Sequence, residues 1–207
     1  GMAVADSQVD AFWQALSGDR LSAFGSVIGF DSVLLEQTAQ AMADSKLFVE
    51  CICAPGFSDG ARALLASKSN LRLLVMPAGN PEPLASFHRI GGGLLVQNSD
   101  PGVSDPASWQ VVSQRPLPPA WIPELRFAEF AAMMLRSNAI SVSRGLTLLG
   151  AGTGHVSRVD AAALALRKAG TRAEGAFLGS DAFFPFPDCA EAAAAAGVCA
   201  IIQPGGS

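Results

Sequence analysis

The chain has 207 residues, half of them hydrophobic, 15% charged, and a formal net charge of -4. Globular chains usually carry about 25% charge, so this one buries a sizeable core, which excludes an intrinsically disordered protein. The acidic balance excludes a nucleic-acid binder built on one dominant basic face, and no apolar run reaches the roughly 18 residues of a membrane span.

Residues 8–17 read as a short amphipathic helix, with Val9, Phe12, Trp13 and Leu16 on one face. Residues 23–30 read as a strand with glycines inserted, a pattern that marks close approach of a ligand or another backbone. A helix is expected over 33–44, a strand over 47–54, a turn at Pro55-Gly56, a helix over 58–67 and a strand over 71–75. This alternation predicts α/β layering with largely parallel pairing. Residues 76–124 are dense in Pro and Gly, with a strand at 91–97 entered through glycines and His88 in a Pro-rich loop. A stiff connection over 115–119 places a domain boundary near 116.

The second half again reads as α/β. A helix is expected over 124–136, and a hairpin over 139–143 and 146–149, around Arg144-Gly145. A helix follows over 157–169, closed by Gly170. A strand over 176–178, a helix over 191–196 and a last strand over 198–202 complete the chain. The predicted organisation is a first unit over 1–115 and a second over 116–207.

The first residues lack a basic and apolar leader, and four cysteines fit a reducing compartment, so a cytoplasmic protein is expected. Cys51 and Cys53 alternate in a strand-like run. Neither they nor Cys189 and Cys199 have zinc-site spacing, and His88 and His155 are the only histidines, so no metal is expected. Buried reduced thiols are the simpler reading.

Gly150-Ala151-Gly152-Thr153-Gly154 follows a strand and precedes a helix, where glycines admit a ligand to backbone N–H groups. The string matches the first motif of S-adenosylmethionine-dependent methyltransferases. That fold needs most of its sheet after the motif and an acidic residue ending the next strand, whereas Glu174 precedes its strand. A tight turn with no ligand is the simple alternative.

A second resemblance covers nearly the whole chain. It is carried by Arg136-Ser137-Asn138-Ala139-Ile140, by Gly150 to Arg158, and by Ser180-Asp181-Ala182-Phe183-Phe184-Pro185-Phe186-Pro187-Asp188. Ile202-Gln203-Pro204-Gly205-Gly206-Ser207 adds to it. In the first half it is carried by Ser22-Ala23-Phe24-Gly25, Val49-Glu50, Ala54-Pro55-Gly56-Phe57 and Gly92-Gly93-Leu94-Leu95-Val96-Gln97. In order and spacing these resemble the aminoimidazole-carboxamide ribonucleotide (AICAR) transformylase domain of the bifunctional purine-biosynthesis enzymes.

The resemblance implies two cytidine-deaminase-like three-layer α/β/α units without the deaminase zinc ligands. It implies formyl transfer from formyl-tetrahydrofolate, as co-substrate, to the AICAR nucleotide, in a homodimer with no nucleic-acid or membrane partner. Carried over by position, Phe24 and Gly25 line the nucleotide base, Glu50 sits near the ribose and Lys68 approaches the phosphate. Asn138 orients the formyl and carboxamide groups, and Arg158 completes the polar wall. Val159, Phe183, Pro185 and Phe186 pack on the folate ring, and Asp188 holds its pterin edge. A flat heteroaromatic ligand wants aromatic faces and a well-placed carboxylate. On the residues alone, Phe183 and Phe186 also read as core, and Asp188 as a helix cap.

The chain departs from the family pattern in several places. The family's Lys-His-x-Asn-Pro-Cys-Gly motif, with its proton-transferring His, has no counterpart here. Its phosphate-binding Arg-Tyr-Gly segment is also missing, and the chain has no Tyr. Position 136 carries Arg in place of Lys. His155 stands where the family has Gln, and is the candidate substitute base. The chain reads as shortened at both ends. Two readings therefore stand side by side: a compact formyltransferase, or a catalytically degenerate nucleotide- or folate-binding module.

Overall fold

The computed structural model describes residues 1–77, 85–98, 100 and 102–206. Ser207 and part of the predicted Pro- and Gly-rich stretch lie outside the described residues.

Three helices start on a serine cap, in which the side-chain oxygen accepts an otherwise orphaned N–H. Ser7 accepts from Asp10 N at 3.0 Å and opens helix α1, Gln8–Gly18. Ser58 does the same for α3, Asp59–Leu65, and Ser157 for α5, Arg158–Ala169.

The first sheet is parallel and ordered β1-β2-β3, from Ser26–Gly29, Val49–Ala54 and Arg72–Val75. Its crossovers are α2, Glu36–Asp44, and α3. The parallel pairing matches the sequence expectation. Two consecutive crossovers of one hand place both helices on the same face. There Ile52, Ala54, Leu34, Ala39, Met42, Ala61 and Leu65 form the core, joined by Phe12 and Leu16 of α1. The opposite face is open: Val27 is 70% and Leu74 49% exposed. The three-layer sandwich expected of the first unit is therefore not seen among the described residues.

Between the halves stands an antiparallel hairpin of β4, Ser86–Ile90, and β5, Gly93–Gln97. The predicted strand at 91–97 is its second arm. His88 lies on β4, not in a loop.

The second sheet is mixed and ordered β7-β6-β8-β9. Its strands are Ile140–Arg144 (β6), Thr147–Gly152 (β7), Phe177–Ser180 (β8) and Ala200–Ile202 (β9). β6 and β7 form the predicted hairpin, β6 is also antiparallel to β8, and β8 is parallel to β9. Ile140, Val142 and Leu178 face α5 and α6, Asp188–Ala195. Phe177 faces α4, Ile122–Met133, with Leu125 and Ala128. Helices thus cover both faces. Trp109 packs with this α4 core, and Met2 with the neighbouring cluster around Phe127 and Leu148.

Element boundaries also differ from expectation. The strand at 23–30 begins only at Ser26. Gly25, at φ +76°, turns the chain first, a conformation that suits Gly. The helix at 191–196 begins three residues earlier, at Asp188.

Candidate functional site

Gly150 and Gly152 lie inside β7, not in a loop. A Cβ at Gly150 would collide with the Ala165 carbonyl oxygen, and one at Gly152 with that of Ala161. What approaches these glycines is the backbone of α5, whose inner face carries Ala161, Ala162, Ala165 and Ala169. Their bare backbone serves helix packing. Gly154 does turn, at φ +68°.

One edge of the second sheet gathers most of the predicted residues. Ile140 pairs with Gly152 and with Ser180, so the start of β6 and the ends of β7 and β8 share that edge. The segments leaving it are 137–139, 153–157 and 181–187. They carry Asn138, His155, Phe183, Pro185 and Phe186. Arg158 and Val159 open α5 beside them, and Asp188 opens α6.

Hydrogen bonds fix these segments to one another. The Asn138 side-chain amide donates to the carbonyls of His155 at 3.0 Å and Val156 at 3.1 Å. The Arg158 guanidinium meets Asp181 at 3.0 Å, with both side chains 16% exposed. Asp181 also accepts from Ala139 N at 2.9 Å. Burial alone would raise its pKa, but bonds from Ser137, Ala139 and Arg158 outweigh it and hold the carboxyl below its ordinary value. Phe184 N donates to the Gln203 side chain at 2.9 Å, and Gly206 lies against the Phe183 ring.

Sequence reasoning quoted Asp181 and Gln203 inside motifs but gave them no role. Their neighbours in the chain could not show that each reaches a second segment.

The side chains expected to pack on the folate ring stand open. Phe186 is 69%, Val159 46% and Phe183 37% exposed. Asp188 is exposed, and its Oδ1 accepts from the next N–H, of Cys189, at 2.8 Å. Among the described residues, the buried Nε of Arg158 has no hydrogen-bond partner. His155 is half-buried, and among the described residues its imidazole makes no hydrogen bond.

The remaining predicted residues sit elsewhere. Phe24 packs on Phe48 at 5.1 Å between ring centroids, and Gly25 N donates to Phe48 O at 2.9 Å. Glu50 lies beside Gly25. Lys68 follows α3 and is exposed. Among the described residues no hydrogen bond or ion pair joins these four to the second-sheet edge. No group of three or more His, Cys, Asp or Glu that could hold a metal occurs among the described residues, and no described helix is long and apolar enough to cross a membrane.

Residues 1–168 match the model of a protein family described as AICARFT/IMPCHase bienzyme. The chain is 44% identical over 207 residues to the bifunctional purine biosynthesis protein PurH of Synechocystis sp.. It is 46% identical over 208 residues to PurH of a Cyanothece species, and 44% identical over 212 residues to that of Rhodopirellula baltica. Each match covers 100% of this chain and 40% of the relative. The chain thus spans less than half the length of the curated relatives it matches.

Proposed function

The chain belongs to the AICARFT/IMPCHase bienzyme family, and on that footing we propose that it is a cytoplasmic, formyltransferase-like protein of purine nucleotide biosynthesis. Its substrates are formyl-tetrahydrofolate and the AICAR nucleotide, and its two halves are cytidine-deaminase-like units in a homodimer.

The observation that carries this reading is the open edge of the second sheet. Exposed aromatic side chains cost solvation and add little to the core. Phe186, Phe183 and Val159 stand exposed around one rim, which supports a flat, apolar ligand stacked there. Pro185 lies on the same segment. Asp188 supplies a carboxylate at the rim, suited to the paired donors of a pterin edge.

The folate supplies the formyl group. Asn138 keeps the 153–156 segment in place through two carbonyls and stands where the formyl and carboxamide groups meet. Arg158, positioned by Asp181, completes the polar wall of the site. Phe24, Gly25, Glu50 and Lys68 contact base, ribose and phosphate. His155 takes the amine proton.

One observation favours the second reading, binding without turnover. A catalytic imidazole is ordinarily oriented by a hydrogen bond on its second nitrogen. Among the described residues, His155 has none.

Asp188→Ala tests the folate assignment. It should remove binding of a reduced folate while leaving the circular dichroism spectrum and melting temperature unchanged; undiminished affinity sinks the assignment. Formyl transfer by the unmodified chain separates the two readings, and His155→Gln tests the base. It should leave binding intact and abolish formyl transfer, whereas full activity in this variant excludes His155 as the base.

A further inference from the structure

Cys51 and Cys53 have no role in the proposed transfer. Residues two apart on a strand point to the same face, here the one away from the core, where Cys51 is buried at 8% exposure and Cys53 half-buried. Ile52 and Ala54 between and beyond them point into the core. The two sulfurs are 4.0 Å apart.

Their surroundings are specific. Cys51 pairs with Val27 on one side and Arg72 on the other, and Cys53 with Gly29 and Leu74. Gly29 has no side chain, and a Cβ built there would meet nothing within 4 Å. The half-buried Cys53 sulfur is therefore approachable across Gly29. Burial and the neighbouring sulfur push the Cys51 thiol up, and the Arg72 cation across the strand pulls the other way.

We propose that Cys51 and Cys53 form a dithiol site for a soft, thiophilic cation of the copper(I) class. An ion held linearly between two sulfurs at about 2.3 Å each needs them about 4.6 Å apart, so the pair, now 4.0 Å apart, opens by about 0.6 Å on binding. Structural zinc takes four protein ligands, and no third His, Cys, Asp or Glu joins this pair among the described residues. Thiolates select soft ions. On binding, each thiol releases its proton to solvent and two sulfur–metal bonds form, with no change of oxidation state. The complex carries one net negative charge, and Arg72 stands opposite it. A disulfide is the poorer product. Residues two apart on a strand have Cα atoms about 6.6 Å apart, at the far end of the disulfide range.

The test uses the full chain with the exposed Cys199 changed to Ser, titrated anaerobically with copper(I) against a chromophoric copper(I) chelator. One ion per chain should be retained. Cys53→Ser should weaken retention at least a hundredfold, and Cys189→Ser should leave it unchanged. Circular dichroism checks that each variant is folded. Should Cys51→Ser fail to fold, the half-buried Cys53 still carries the test. No copper withheld from the chelator, or equal retention in Cys53→Ser, overturns the proposal.

Discussion

Arg158 and Asp181 meet at 3.0 Å, tying the first turn of α5 to the segment that leaves β8. Ser137 and Ala139 bind the same carboxylate, so one side chain gathers the segment entering β6, the segment leaving β8 and the first turn of α5.

Asp181→Asn leaves a largely buried guanidinium without its counter-charge. The expected loss is about 2 kcal/mol at pH 7, read by urea unfolding. The folded carboxyl is held below its ordinary value. Its contribution is therefore fully present above the unfolded value of about 3.9 and disappears as pH falls through the lower folded value. The difference between wild type and variant should shrink toward pH 2. An equal difference at both pH values contradicts this.

The glycines of β7 and β1 should respond in opposite ways. Gly150→Ala forces a methyl group into the α5 backbone and should cost about 1–3 kcal/mol or more, as overpacking does. Gly29→Ala meets open space and should stay within about 0.5 kcal/mol. Thermal unfolding of the two variants settles it, and equal melting temperatures contradict the packing role.

The alternation of strands and helices was legible because apolar periodicity survives in α1, β2, α5 and β8. The role of Gly150 and Gly152 was not. A glycine makes way equally for a phosphate and for a helix, and only the alanine face of α5 shows which. β4 was missed because Ser86-Phe87-His88-Arg89-Ile90 lacks clean alternation and follows a Pro-rich stretch. Its hairpin turn, Gly91-Gly92, read as the entrance to a single strand. For the site, the motif string named the rim residues, but not the long-range pairing of Asp181 with Arg158 or of Gln203 with Phe184.

Two cations join the halves, with unequal expected weight. Arg172 donates to the carbonyls of Ser17, Leu149 and Ala169. Lys168 meets only Asp19, at 2.5 Å and partly exposed. Arg172→Ala should cost about 2 kcal/mol through the lost charged hydrogen bonds. Lys168→Ala should cost under about 1 kcal/mol and less still in high salt. Urea midpoints of both variants, at low and high salt, check the ranking; a larger loss in Lys168→Ala reverses it.

Phe186 is 69% exposed, so Phe186→Ala should barely change the melting temperature. If the ring stacks on the folate, affinity should fall about tenfold, equivalent to about 1.4 kcal/mol. A large fall in stability with unchanged affinity would make Phe186 a core residue instead.

The most direct test is a calorimetric titration of the full chain with the AICAR nucleotide, with and without a saturating reduced folate. Saturable binding of both ligands in the micromolar range, about -8 kcal/mol, is expected, with the folate site lost in Asp188→Ala. No heat from either ligand, in protein shown to be folded, would contradict it.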